Sequence, residues 1–451
     1  MNRSQRLILA VSILASSIAF LDGSVVNVAL PAISNEFGGG LSIQQWVVDA
    51  YLITLGALIL LAGSLSDLFG RRRVLALGLV GFAVASLLCT IAPSGTFLIA
   101  ARALQGIAGA LLVPSSLALI MSSISGPAQG KAIGNWTAWT GIAFVIGPLL
   151  GGMLVDSASW RLIFAINVLP IAVCLWLLRL TDVKDHAIAT RVDILGALLC
   201  SLGLSGSVFG LIEQPHYGWS SPLILGSLVG GLLLLVIFLW YEARTAQAML
   251  PLSLFKIRNF TAGNIATLAI YSGLSIATFL IVIYLQQVAG YSALAAGFAL
   301  IPVTIIMFFM SPAFGSLASR YGPRLFMTLG PLIAAAGFLL MLQVSIPINY
   351  WTELLPGVLC FALGLSMTVA PLTSAVLSDI ETSRSGIASA VNNAVARIAG
   401  LVAIAFVGVI VGSRLDLHGF KQTMLITAIL MICGGLISWF GIRNHPSRPR
   451  V

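Results

Sequence analysis

Asp22, Asp49 and Arg102 are ionisable side chains that stand inside long apolar runs. In hydrocarbon each costs roughly 2.5 kcal/mol or more near the centre of a spanning helix, so each needs a function or a partner. A carboxyl in a poorly hydrated cavity keeps its proton, whereas a neighbouring cation favours the ionised form. A carboxyl that moves between the two surroundings loads and releases a proton. Asp22 is the leading candidate for that chemistry, with Arg102 as the cation. The alternative is a permanent Asp22–Arg102 ion pair that only holds helices together. Asp49 lies nearer the end of its run and has two readings, a second proton site or an acid solvated at the interface. The histidines His186, His216, His418 and His445 fall in loops or the tail and are not placed as buried proton carriers. In the second half Glu353 is near a run's end, and Asp379, Glu381 and Asp416 fall in loops. Any proton coupling therefore belongs to the first half.

Those acids need elements to hold them, and composition says which. The 451 residues are 59% hydrophobic and 8% charged, too few polar groups to cover a water-soluble core. The chain is an all-α integral membrane protein with little left over for soluble chemistry. Met1–Phe20 imitates a signal peptide, but its apolar run continues to Pro31 without a convincing cleavage site before Asp22, which predicts an uncleaved first helix. The cysteines Cys89, Cys174, Cys200, Cys360 and Cys433 are scattered singly through apolar runs, neither a disulfide framework nor a metal spacing.

A spanning helix needs about 20 mainly apolar residues. Fourteen segments qualify: 8–31, 46–66, 73–92, 96–121, 132–156, 160–180, 193–213, 222–241, 261–287, 293–318, 324–344, 351–378, 385–412 and 419–442. With the N-terminus in the cytoplasm, 18 of the 23 Lys and Arg fall inside and only Arg161, Arg414 and Lys421 outside, while Arg102 and Arg397 lie within spans. That asymmetry orients both termini to the cytoplasm. It also accounts for the net charge of +9 without nucleic acid.

Between the second and third spans runs Gly63-Ser64-Leu65-Ser66-Asp67-Leu68-Phe69-Gly70-Arg71-Arg72-Arg73, a polar turn at a membrane surface. A degenerate copy, Gly315-Ser316-Leu317-Ala318-Ser319-Arg320-Tyr321-Gly322-Pro323-Arg324, follows 252 residues later, so the chain reads as internally duplicated. A bare six-plus-six duplication predicts an offset of roughly 190 residues, taking about 20 residues per span plus loops. The excess leaves room for two inserted helices. The predicted domains are a first six-helix bundle at 1–181, the inserted pair at 192–242, a cytoplasmic amphipathic linker at 243–260, a second bundle at 261–443 and a tail at 444–451. The linker suits a segment lying along the membrane surface; a plain connection is the alternative.

The pattern G-x-L-x-D-x-x-G-R-R-R resembles the loop signature of major facilitator superfamily transporters, although Leu68 stands where that family usually has Arg. Further segments resemble its fourteen-helix drug:proton antiporter branch. They are Leu21–Pro31 in the first span, Gln45–Tyr51 in the second, Arg102–Gly106 with Pro114 in the fourth, Gly141 with Gly147-Pro148-Leu149-Leu150-Gly151-Gly152 in the fifth, Trp160-Arg161 with Asn167, and Gly386–Asn393. The resemblance covers essentially the whole chain. It implies two pseudo-symmetric six-helix bundles with two extra helices, alternating access around a midplane cavity, and export more than import, because the fifth-helix motif is associated with exporters. A packing seam unrelated to direction is the alternative for that motif. It further implies that Asp67, beside Gly63, Gly70 and Arg71, latches onto the start of the thirteenth span near Arg384. A solvated loop acid is the bland reading.

Candidate cavity residues are Asn135 and Trp139, four apart on the fifth span, and Asn393 and Arg397, four apart on the thirteenth, with Tyr271, Tyr284 and Met367 as weaker ones. The expected function is proton-coupled export of hydrophobic or amphiphilic drugs, with uptake of a metabolite or facilitated diffusion on the same fold as the alternative. Substrate charge stays open, since Arg397 suits an anion and the acidic first half a cation. No catalytic or phosphate-cradling motif stands out, because Gly130-Lys131-Ala132 lacks a P-loop's hydroxyl and upstream glycine. The expected partners are a small molecule, protons and lipid, with no cofactor or metal, no enzyme activity and a monomer as the working unit.

Overall fold

The computed structural model describes residues 3–181, 192–245, 248–381, 384–412 and 415–444. His186, Arg191, Arg414 and His445 lie outside them, as does most of the tail at 444–451. Among the described residues there is no strand, and fourteen segments are long and apolar enough to cross a membrane. The chain divides into two compact units, one formed by Met1–Met249 with Tyr291–Phe298, the other by Leu250–Gly290 with Ala299–Val451.

The first unit holds α1 (Arg3–Phe37), α2 (Gly40–Phe69), α3 (Arg71–Thr90), α4 (Gly95–Ser123), α5 (Pro127–Ser157), α6 (Leu162–Ala165), α7 (Val168–Arg179), α8 (Ile194–Tyr217) and α9 (Pro222–Arg244). Of these, α6 and α7 together make the sixth span. Apolar surface gives little drive for helices to associate in lipid, so small residues set the contacts. α4 lies against α2 at Gly106, where a side chain would run into Thr54 and the Tyr51 carbonyl. α8 and α9 form a pair through Gly203, Gly206, Gly210 and Gly231; a methyl on Gly206 would lie 3.0 Å from Ser227 O. The pair packs onto the bundle through α2. α9 leaves Leu232, Leu233, Val236 and Ile237 exposed, the surface a lipid-facing helix presents.

The second unit begins with a 3-10 turn, Leu252–Lys256, followed by α10 (Arg258–Gln287), α11 (Ala293–Ala299), α12 (Ile301–Tyr321), α13 (Pro323–Leu340), α14 (Leu355–Leu377, preceded by a π turn at Tyr350–Leu354), α15 (Ser385–Val411) and α16 (Leu417–Gly441). Most of α11 clusters with the first unit. α13 and α14 touch almost backbone to backbone, a methyl on Gly337 lying 2.6 Å from Gly357 O. Within the stretch 243–260 Leu254 is buried, and Phe255 meets Phe260 edge-on at 5.1 Å.

The duplication read from the two signature turns has a backbone counterpart. Gly70 joins α2 to α3 at φ 95°, and Gly322, 252 positions later, joins α12 to α13 at φ 88°. Only glycine adopts that region without strain.

Candidate functional site

Asp22 sits near the middle of α1, deeper than its apolar run suggested, because the helix continues through Pro31 to Phe37. Its side chain is fully buried, as is that of Arg102 in α4, and Arg102 Nη1 donates to Asp22 Oδ2 at 2.6 Å. The other carboxylate oxygen, Oδ1, accepts from Gln105 Nε2 at 2.9 Å and from Asn167 Nδ2 at 3.0 Å. Helix α4 and the junction between α6 and α7 thus converge on the one carboxylate of α1. α3 contributes Ser86, whose hydroxyl oxygen accepts from Gln105 at 3.0 Å and from Asn167 at 3.4 Å.

The guanidinium is held from several directions at once. Its Nη1 also donates to Gln105 Oε1 at 2.6 Å, Nε donates to Val47 O at 3.0 Å, and its carbon lies 4.4 Å from the Tyr51 ring centroid. Val47 and Tyr51 are on α2, where the second lone pair of the Val47 carbonyl accepts from the guanidinium. Gln105 is three residues after Arg102 and therefore on the same helix face. Charge-assisted bonds of this length are about twice as strong as neutral ones, which offsets the cost of burying both charges.

Of the two readings of Asp49, the structure disfavours the interfacial acid in its geometry: α2 begins at Gly40, so Asp49 is nine residues into the helix and completely buried. Neither carboxylate oxygen has a hydrogen-bond partner among the described residues. It does not join the Asp22 cluster: Val47 and Tyr51, which touch Arg102, point to the other side of α2.

The fifth-helix motif proves to be two kinds of glycine. α5 runs unbroken through Pro148. Side chains at Gly147 and Gly151 would strike Ser24 and Val25 of α1, and one at Gly152 would lie 2.6 Å from the Leu294 Cα, whereas Gly141 has nothing within 4 Å. The seam therefore packs α5 onto α1 and onto Tyr291–Phe298, whose backbone is also capped by Asp156: Ala293 N and Leu294 N donate to its carboxylate at 3.1 and 2.8 Å.

At the signature turn Asp67 pairs with Arg71 at 3.2 Å, and Arg71 Nη1 also donates to Ala118 O at 3.1 Å. Gly63 has open space around it. In the second unit Arg384 donates to Ser253 Oγ at 2.9 Å. Asn135 and Trp139 are exposed along α5; Asn393 is exposed on α15 and bonds back to Ser389 O at 3.0 Å, with Arg397 half-buried one turn on. Tyr284 is buried and stacked on Phe420 at 4.0 Å, and Met367 is buried, so both serve the packing of the second unit.

Gln105, Asn167 and Ser86 belong to the site, and sequence reasoning gave them no role there. Gln105 was visible as the residue one turn from Arg102. Asn167 is an amide in the apolar run 162–179, a weaker signal than a charge.

The model of the Major Facilitator Superfamily matches residues 12–404. The chain is 34% identical to the methylenomycin A resistance protein of Bacillus subtilis, over 97% of this chain and 94% of that protein. It is 32% identical to the multidrug resistance protein Stp of Mycobacterium tuberculosis, covering 92% and 78%. It is 34% identical to the puromycin resistance protein pur8 of Streptomyces alboniger, covering 89% and 81%. Among solved structures, a bacterial homologue of the human lysosomal transporter Spinster, inward-facing and unoccupied, superposes with a TM-score of 0.68 at 15% identity, over 98% of this chain and 97% of that one. With fourteen apolar helices, a duplicated signature turn and a family match across most of its length, the chain belongs to the Major Facilitator Superfamily of membrane transporters.

Proposed function

We propose that this transporter exports hydrophobic or amphiphilic toxic compounds from the cytoplasm in exchange for protons, by alternating access. The observation that carries the reading is the arrangement of donors on Asp22. Oδ1 is occupied by two amides and Oδ2 by Arg102, so an incoming proton goes to Oδ2 and displaces the guanidinium. Arg102 is not then stranded, because Gln105 Oε1, Val47 O and the Tyr51 face still hold it. An ion pair built only to join helices has no need of this second set of partners. The relatives named for resistance to methylenomycin, puromycin and multiple drugs support a drug as the substrate.

In this reading Asp49, buried and without a hydrogen-bond partner among the described residues, is a second proton site. Asn135 and Trp139 on α5 and Asn393 and Arg397 on α15 line the substrate path. Asp67 exchanges Arg71 for the start of α15 and Arg384 during the cycle, as a latch. Both termini are cytoplasmic, the protein works as a monomer in lipid, and the proton gradient is its energy source in place of a cofactor. One inward proton gains about 2.3 kcal/mol per 100 mV of membrane potential, enough to sustain a substantial outward gradient.

The test uses proteoliposomes with an acidic interior and follows compound-dependent proton efflux across cationic, neutral and anionic drugs, each against Asp22→Asn. The expected result is gradient dissipation by one chemical class in the wild type and none in the variant. Labelled compounds that equilibrate without any proton movement in the wild type would replace exchange with facilitated diffusion.

A further inference from the structure

The inserted pair, α8 and α9, has no counterpart in a bare six-plus-six duplication, and its attachment is specific. Glu213, in the last turns of α8, accepts from the Trp46 indole Nε1 at 2.7 Å and from Ser42 Oγ at 3.1 Å, both to Oε1. Phe209, one turn earlier, meets the Trp46 ring at 6.1 Å. A carboxylate placed in an apolar helix and bonded twice to a single neighbour is a costly way to make a packing contact.

Its position on α2 gives the contact a purpose. At about 100° per residue, Ser42, Trp46 and Asp49 fall within an arc of about 60°. Val47, Tyr51 and Thr54 occupy a second arc about 140° away. That second arc is fixed to α4, through Arg102 at Val47 and Tyr51 and through Thr54 Oγ1, which donates to Ala103 O at 2.9 Å. α2 is thus clamped on two sides, by α4 on the Asp22 side and by α8 on the stripe that carries Asp49. The other charged groups on elements packed against α2 are engaged elsewhere or lie away from Asp49: Arg3 and Arg6 are at the start of α1, the end opposite Glu36. Asp22 of α1 is held by Arg102 of α4, and Glu36 of α1 is bonded to Trp160 and Arg161. Arg71–Arg73 of α3 lie at the opposite end of α2, and His216 of α8 packs on Tyr217 at 4.8 Å.

We propose that Glu213 is a positioning residue for proton exchange: through Trp46 and Ser42 the inserted helix pair fixes the stripe of α2 on which Asp49 sits and keeps water from it. The pair is therefore part of the coupling machinery. This rests on the reading of Asp49 as a proton site.

The experiment uses full-length protein in proteoliposomes and a hydrophobic carbodiimide, which attacks protonated carboxyls in apolar surroundings, with modification of Asp49 and Asp22 quantified separately by peptide mass at a fixed pH. Glu213→Ala and Trp46→Phe are expected to lower Asp49 modification, by up to about tenfold, the change in protonated fraction that a one-unit shift makes at a pH where the carboxyl is mostly ionised. Glu213→Gln, which retains a carbonyl acceptor, falls between, and Asp22 modification stays at the wild-type level in all three. Trp46→Phe keeps the ring and loses one hydrogen bond, so it reads the clamp even where Glu213→Ala fails to fold. Equal loss at Asp22 and Asp49 would mean general loosening and would overturn the positioning role, as would an Asp49 signal indifferent to every variant. An Asp49→Asn protein with full drug-dependent proton movement would remove the underlying proton reading as well.

Discussion

Asp22 and Arg102 could be found in the sequence because charge inside an apolar run is rare enough to notice, but their environment could not. Gln105 and Asn167 are neutral amides, which helices in lipid carry at modest cost, and 145 residues separate Asn167 from the Asp22 carboxylate it donates to. Nothing in linear order reports such a contact. The energetic consequence is testable. Removing one partner of a buried pair is destabilising by about 3–5 kcal/mol, because an uncompensated charge stays behind. Asp22→Asn leaves Arg102 with its other acceptors, so it is expected to cost much less than Arg102→Ala, which strands the carboxylate with two amide donors. Thermal unfolding of purified protein in detergent should rank Asp22→Asn above Arg102→Ala. The double variant Asp22→Asn/Arg102→Ala should recover part of the loss. A double variant that melts as low as Arg102→Ala would show that the stranded acid is not what destabilises the single one.

Helices α1 to α5 were legible as apolar runs, and their depth was misjudged for a physical reason. Hydropathy marks where lipid begins, whereas a helix continues past that point wherever its polar ends find partners. α1 continues past Pro31 to Phe37, just beyond Glu36, which Arg161 grips through two bonds of 2.7 and 2.6 Å while Trp160 donates to it at 2.7 Å. α2 likewise begins six residues before its predicted start at 46, and this is what buries Asp49. The glycine-rich stretch of α5 was legible as a seam, yet only the neighbours show which glycines make it. Gly151→Ala puts a methyl 2.7 Å from Val25 Cγ2, and Gly152→Ala puts one 2.6 Å from the Leu294 backbone. Overpacking of this kind costs about 1–3 kcal/mol. Gly141→Ala meets nothing within 4 Å and exchanges glycine for a better helix former, worth roughly 1 kcal/mol in its favour. The expected pattern in a thermal-shift series is loss at 151 and 152 and no loss at 141. A uniform response along the motif would argue that these glycines act through backbone flexibility rather than close approach.

At the scale of the whole molecule, the offset between the two signature turns and the parity of the spans constrain each other. The turn at Gly70 and its echo at Gly322 have the same left-handed glycine conformation, so each unit reverses direction at the same kind of corner. An even number of helices between the two signature turns keeps the parity of the spans, whereas an odd number would change it. Fourteen crossings would put both termini on one side, and the distribution of Lys and Arg supports our proposal that this side is the cytoplasm. The assignment can be checked without transport. A fluorescent reporter that matures only in the cytoplasm, fused after Arg443, is expected to fluoresce, while a periplasm-dependent phosphatase fused between α5 and α6, near Ser159, is expected to be active. The reverse pattern would invert the topology and, with it, the direction of proposed drug movement. A dark reporter at the C-terminus together with an active phosphatase near Ser159 would mean that one of the fourteen apolar segments does not cross the membrane. α9 is the first to examine in that event, since it packs mainly on α8 and exposes most of its apolar surface.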